Sequence, residues 1–392
     1  MRVPTIISSA TILACTFARP FTKSTALTDD SPTYKNVFKA THRKPFSIVE
    51  PKVFIVNSFK SEAKPWLSSL DFHHNITIPG LSSLYPAISC TTNYSVCGMI
   101  TGEGDINAAA SVMALGLSPL FDLSHTYFLI SGIAHGDPNH TTVGSVTFAR
   151  YAVQVGVEHE VVYQGPIVPN PNWTSTYGEY GPDNPWTYPG KFYGTEVYEV
   201  NGNLRDRAVE LAHSVNLENP TQASVVGGFL YGDCAARDLP SIVKCDVLTS
   251  DDYFTGKNLS DYFSFYANVI SNGTVEYCSV AQEDNAYLEA FTRLDRYGLV
   301  DFDRVVVSRS ISDLTRPPPP KCNDTVTWFD SPGESSVAFA NLPIAGLPFV
   351  KDVLENWENV YCEGDKYASN YYTRDILESF EGTPNPEEPS IV

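Results

Sequence analysis

Apolar residues in this chain gather into short unbroken runs that end in polar, glycine-bearing turns, and between the runs lie stretches with helical spacing. Lys52 to Val56 reads as a buried strand, and Asn57-Ser-Phe-Lys-Ser-Glu62 leads from it into a helix carrying Trp66, Leu67 and Leu70. A hairpin follows, then a strand over Cys97–Thr101, then the glycine turn Gly102-Glu-Gly104, with Asp105 opening an Ala-rich helix. Tyr127–Ile130 is another apolar strand, ending in Ser131-Gly-Ile-Ala-His-Gly136. Val143–Ala149 and Val153–Tyr163 read as extended, Leu204–Val215 as an amphipathic helix, and Cys245–Leu248 as a short run opening into an acidic, aromatic turn. Tyr277–Val280 predicts a strand that hands over to a helix bearing Tyr287, Ala290, Phe291 and Leu294. The β-branched run Val305-Val-Val307 continues into Ser308-Arg-Ser-Ile-Ser-Asp313, which places Asp313 just past a strand's C-terminal end, where open α/β sheets bind ligands. Beyond it the pattern predicts a loop-rich region with one helical stretch around 352–360. Strands alternating with helices, with polar residues collected at strand ends, predict a three-layer α/β/α sandwich with a mixed, largely parallel sheet.

The pattern weakens at both ends and once in the middle. Residues 1–18 have one positive charge, an apolar middle and small residues near Ala18, a secretory signal with cleavage after Ala18 or a few residues on. Residues 19–48 read as a flexible arm, 49–380 as a single domain, and 381–392 as a disordered tail. The region 164–195, rich in Pro, Trp, Tyr and Gly, is an insertion of the length that often serves function. Seven Asn-x-Ser/Thr acceptors, at Asn75, Asn93, Asn139, Asn172, Asn258, Asn272 and Asn323, agree with a secreted or endomembrane, vacuolar-lumen destination. Beyond the leader, no run of about 18 unbroken apolar residues stands out, so no membrane insertion is expected.

Composition narrows the function. A net charge of −19 excludes a nucleic-acid surface, which needs clustered Lys and Arg, and favours a small neutral or cationic partner. Seven cysteines remain after the leader, so at least one is unpaired or intermolecular. Cys90 and Cys97 flank a hairpin tip and are expected to pair; Cys322–Cys362 and Cys234–Cys245 are the further pairings offered. None of them has zinc-site spacing, so no metal and no cofactor are expected. Gly102 and Gly104 lack the remainder of a dinucleotide fingerprint. His125, His135 and His140 read as loop histidines without a role, and Asp251-Asp252 as a capped turn. On local grounds Ser312-Asp313 is no more than a turn cap.

The turns taken together change those odds. Thr101-Gly-Glu-Gly-Asp-Ile-Asn-Ala-Ala-Ala110, Val143-Gly-Ser-Val-Thr-Phe-Ala-Arg-Tyr-Ala-Val-Gln154, Tyr193-Gly-Thr-Glu-Val-Tyr198 and Ala281-Gln-Glu-Asp-Asn-Ala286 resemble the fungal purine nucleoside permease family over residues 51 to about 360. Beneath it the chain resembles the nucleoside phosphorylase/nucleosidase superfamily. That resemblance implies a water-activating role for Glu62, a proton donor to N7 of the departing purine in Asp313, and a ribose clamp in Gln282-Glu283, with Asp284 as the register-shifted alternative. It further implies a base-stacking ring at Tyr253 beside Phe254, and glycine turns near the sugar at Gly102, Gly104 and Gly132 with its neighbour Ile133.

The chemistry asks for the same groups. N-glycoside cleavage creates an oxocarbenium-like cation that carboxylates favour, a base that leaves more readily once protonated, and a water that needs a general base. Glu62, Glu283 and Asp313 supply base, clamp and acid, and Arg309 tethers a carboxylate or the water. Where phosphorylases of this superfamily carry phosphate-binding arginines, only Lys60 and Lys64 occur, with Ile130 in the strand and Ile133 in place of a serine. Hydrolysis of a purine nucleoside of the adenosine, inosine or guanosine class is therefore expected over phosphorolysis, unless Arg150 or Arg316 folds into the site. The alternatives are a phosphate-dependent phosphorylase and a nucleoside-binding protein that supports transport. The subunit arrangement stays open, a homo-oligomer included.

Overall fold

Strand β1 (Val53–Asn57) is buried at every position, as a strand covered on both faces must be. In the computed structural model, which describes residues 48–161, 176–179, 192–222, 227–319, 334–368 and 374–376, this strand lies near the middle of a twelve-stranded mixed sheet. Strands β2 (Phe72–Thr77), β3 (Ala87–Thr91) and β4 (Val96–Ile100) continue the sheet on one side, with β1 and β4 parallel and the two outer pairings antiparallel. Its other neighbour is β5 (Tyr127–Gly136), also parallel. All the elements described here belong to one compact unit.

The two faces of the central strands feed separate cores. Phe54 and Val56, Phe128 and Ile130, Val305 and Val307 point one way, where helix α2 (Asp105–Gly116) supplies Ala108, Val112 and Leu115. Val53 and Ile55, Tyr127 and Leu129, and Val306 point the other way, where helix α1 (Lys60–Ser69) brings Trp66. Alternate side chains on opposite faces are the two-residue period of a strand, so each apolar run fills both layers. The result is the expected α/β/α arrangement.

Beyond β5 come β6 (Val146–Ala149), β7 (Tyr151–Gln154), the separate hairpin β8 (Glu158–Val161) with β9 (Thr176–Glu179), β10 (Val197–Glu199) and helix α3 (Gly202–Ala212). The long extended segment expected over 153–163 is instead broken after Gln154. Most of the 164–195 insertion lies outside the described residues. Strands β11 (Ile242–Lys244) and β12 (Asp246–Thr249), helix α4 (Lys257–Ile270), β13 (Tyr277–Ala281) and helix α5 (Asp284–Asp295) follow. Tyr262, Phe263 and Tyr266 of α4 close a third core over β7 and β12.

Strand β14 corrects the sequence reading. It runs from Val305 to Leu314, so Asp313 lies within the strand rather than beyond it. The reason is β5, ten residues long, which pairs with β14 from Val305↔Phe128 to Leu314↔Gly136. The register slips once, between Ile311 and Asp313, so that Asp313 stands opposite His135.

Helix α6 (Ser335–Glu355) is the second correction, since the expected helical stretch began only at about 352. Pro343 and Pro348 interrupt its sequence pattern, but Leu342, Ala345, Phe349, Val350 and Val353 pack on the sheet with Trp66, and that packing outweighs two lost backbone bonds. By length and hydropathy α6 would reach across a membrane; 56% of its most apolar window is buried inside the protein, as in a core helix. Cys90–Cys97 bridges β3 to β4 as expected. Cys245 pairs with Cys278, however, not with Cys234, because parallel β12 and β13 bring the first two side by side. Cys234 Sγ instead faces the carbonyl of Tyr231 at 3.7 Å. The pairing offered for Cys322 falls outside the described residues.

Candidate active site

The C-terminal ends of β1, β5, β13 and β14 converge on a pocket of about 230 Å³, lined among others by Ser58, Glu62, Ile133, His135, Tyr253 and Glu283. Two neighbouring parallel strands leave unpaired backbone N–H groups where they end, and Glu62 uses them. From the first turn of α1 its Oε2 accepts from Ser58 N at 2.7 Å and Phe59 N at 3.4 Å, while Oε1 accepts from Ile133 N at 2.7 Å. Burial disfavours the carboxylate and raises its pKa to about 8, against the pull of Arg309 and those amides and with a further push from Glu283. Gly132 is what permits the approach: a Cβ there would overlap the Arg309 guanidinium and the Glu62 carboxylate.

Arg309 is 2% exposed. It grips Asp284 through two parallel bonds, Nη2 to Oδ1 at 2.8 Å and Nε to Oδ2 at 3.1 Å, and reaches Glu283 Oε2 at 3.3 Å. Burial works against its charge, but the two carboxylates more than offset that and hold its pKa above the ordinary value. Glu283 spans the pocket wall, its Oε1 accepting from Gly104 N at 3.2 Å at the start of α2. Its pKa is raised by burial, with Arg309 opposing. Asp284, fully buried under Arg309, is structural, so of the two registers offered for the clamp Glu283 is the one at the pocket. Gly102 (φ 92°) and Gly104 (φ 86°) make the positive-φ turn that brings the Gly104 amide to Glu283, while α2's first amide, Asp105 N, donates to Asp251 Oδ1 at 2.8 Å. Gln282 lines the pocket and donates to Asp251 O at 3.2 Å. Below them Tyr287 Oη lies 3.0 Å from Ser58 Oγ and 2.8 Å from Thr101 Oγ1.

Asp313 occupies the opposite end. Its Oδ1 is 3.3 Å from His135 Nε2 and accepts from Ser312 Oγ at 3.3 Å; its Oδ2 accepts from Tyr253 Oη at 3.3 Å. Burial raises the Asp313 pKa and lowers that of His135, while the attraction between the two opposes both shifts by favouring each charged form. His135, Tyr253 and Ser312 line the pocket, with Asp313 behind them. The His135 ring meets Tyr253 edge-on, centroids 4.1 Å apart, and Phe254 borders the same end while packing on Phe263. His135 had been given no role, and its place is invisible in sequence because it depends on the β5–β14 register.

Of the cations considered for phosphate, Lys60 and Lys64 are exposed, Arg150 pairs with Glu199, and Arg316 bridges Asp137 and Asp261. Among the described pocket residues Arg309 is the one guanidinium or ammonium group, and its fork is taken up by carboxylates.

Fold and pocket together describe an α/β protein with an acidic, aromatic-edged site at its strand ends. Residues 50–366 match the purine nucleoside permease family, and the chain belongs to that family. A purine nucleoside permease of Candida albicans is 53% identical over 362 residues, spanning 92% of this chain and 89% of its own. A probable purine nucleoside permease of Schizosaccharomyces pombe is 41% identical over 320 residues, 79% of this chain and 91% of its own. Among solved structures, a 5′-methylthioadenosine/S-adenosylhomocysteine nucleosidase from Neisseria meningitidis superposes with a TM-score of 0.45 at 13% identity, covering 78% of this chain and all of that one. Futalosine hydrolase of Helicobacter pylori gives 0.45 at 15% identity, over 77% and 98%.

Proposed function

We infer that the pocket binds a purine nucleoside and cleaves its N-glycosidic bond with water, releasing free base and ribose. The observation that carries this reading is the distribution of acids: Glu62 and Glu283 in the pocket wall beside Arg309, and Asp313, its pKa raised, behind His135 and Ser312 and bonded to Tyr253. A cation developing on the sugar between them favours the charged forms of Glu62 and Glu283, which burial alone disfavours. In that arrangement Glu62 takes the proton of the attacking water, Glu283 holds the sugar hydroxyls, and Asp313 supplies the proton to the base nitrogen. Tyr253 offers a flat ring for the purine. Arg309 orients Glu283 rather than touching the water. With that guanidinium committed, a phosphate dianion would find no free guanidinium or ammonium group among the described lining residues, which favours water as the nucleophile.

Incubation of the purified protein with inosine, adenosine and guanosine, with and without phosphate, tests the reading by release of free base. Equal release in both conditions is expected. Release only with phosphate would make the reaction a phosphorolysis. Tight binding with no release would favour the second reading, to which the names of the relatives point: a nucleoside-binding protein that serves transport.

A secreted or luminal location goes with this. The leader-like first 18 residues, the acceptor asparagines and the two disulfides are those of an oxidising compartment. N-terminal sequencing of the mature protein should begin near residue 19, and a chain still starting at Met1 would reject the leader.

A further inference from the structure

His135 is the group standing between Asp313 and the pocket. The slip in the β5–β14 register skips Ser312 in the pairing and sets Asp313 directly across from His135, with their side chains in contact. The imidazole keeps 15% of its surface and lines the pocket, while the carboxylate, 29% exposed, is engaged at both oxygens: His135 Nε2 and Ser312 on one, Tyr253 on the other. A proton leaving the carboxylate toward the pocket therefore meets the imidazole and the phenol first.

We propose that His135 and Asp313 hold one proton between them and deliver it as a unit to the departing base, with Tyr253 fixing the second carboxylate oxygen. The step extends the nucleosidase reading and rests on it. The unit gives up its proton as the C–N bond breaks, the bond's electron pair stays on the base, and Glu62 receives a proton from the water whose oxygen joins the sugar. After product leaves, Glu62 returns its proton to solvent and the pair regains one, so the protein is unchanged.

The groups facing His135 make a shared proton reasonable. Asp313 comes from β14 and Tyr253 from the turn after β12, and on β13 Val280 pairs with His135. The same pocket is lined by Glu62, Glu103, Asp252 and Glu283, with Arg309 bound to Glu283. The balance around the imidazole is acidic, which favours keeping a proton on the pair. Burial lowers the imidazole's own affinity for it and raises that of Asp313, and the 3.3 Å contact couples the two sites, the condition under which a pair titrates as one.

The test has two arms. In the first, the His135 imidazole is titrated by NMR in the wild type and in Asp313→Asn. Loss of the carboxylate should lower the His135 midpoint by about one pH unit or more. An unmoved midpoint would overturn the pair, whether or not the protein is active. In the second, base release is measured for His135→Gln, Asp313→Asn and the double variant. His135→Gln should lose about 10²-fold in kcat with little change in KM, and the double variant should be about as slow as Asp313→Asn alone, because members of one unit are not additive. Multiplying losses, or a His135→Gln effect confined to KM, would reject joint delivery and leave the imidazole a packing group. A wild type that releases no base would instead sink the nucleosidase reading and the delivery step with it, while the NMR arm would still decide on the pair.

Discussion

Asp313→Asn should cut base release by about 10²–10⁴-fold while the protein folds and binds nucleoside as before. The amide is nearly isosteric, so the contacts to Tyr253 and Ser312 can be remade in part, and 29% of the side chain is exposed, which keeps the cost of an imperfect fit small. What the amide lacks is an acidic proton. Without it the base must leave as an anion unless another group protonates it, and no other carboxyl on β14 stands beside His135 and Tyr253. The loss should fall on kcat, with nucleoside affinity by calorimetry within a few-fold of wild type. Unimpaired turnover would remove Asp313 from the mechanism and leave it a structural partner of His135 and Tyr253 within β14.

Arg309→Met carries the largest expected effect on stability. The methionine fills much the same volume, but it leaves Glu283 and Asp284, 3% and 0% exposed, facing each other without a cation. Breaking a buried pair from one side costs about 3–5 kcal/mol, because the abandoned charge stays desolvated. Glu283 can escape part of that by taking up a proton, so the loss should be smaller at pH 5 than at pH 8. The sign follows from its affinity for protons, raised by burial and held down by Arg309: without that guanidinium the folded variant binds more protons than the unfolded chain across that range, so its stability falls as pH rises. Chemical denaturation at the two pH values measures it, and adding Asp284→Asn should recover part of the loss. Equal stability of wild type and variant would show the cluster to be dispensable for folding.

Much of the fold was legible because its cues are local. The unbroken runs at Val53–Val56, Tyr127–Ile130 and Val305–Val307 could belong only to strands covered on both faces, and the glycine turn before Asp105 marks a helix start by backbone conformation alone. Helix α6 was obscured by its own prolines: Pro343 and Pro348 break a local pattern that packing against the sheet restores. Cys245–Cys278 was missed because the nearer Cys234 is nearer only along the chain. Of the residues offered by short phrases near strand ends, Glu62, Glu283 and Tyr253 line the pocket and Asp313 lies behind it, whereas the places of His135 and Asp284 depend on who their partners are.

The sequence by itself therefore determined the layers, the strand ends at which polar groups collect, and the family to which those phrases belong, because periodicity and turn chemistry act within a few residues. Tertiary structure alone decided the partners. It turned Glu62 back onto amides of two strands, committed Arg309 to Asp284 and Glu283, and slipped β14 by one residue so that Asp313 meets His135. Those choices rest on strand register and burial, which are set by the whole sheet at once, and charge pairing in a dry interior depends on distances that no local pattern encodes.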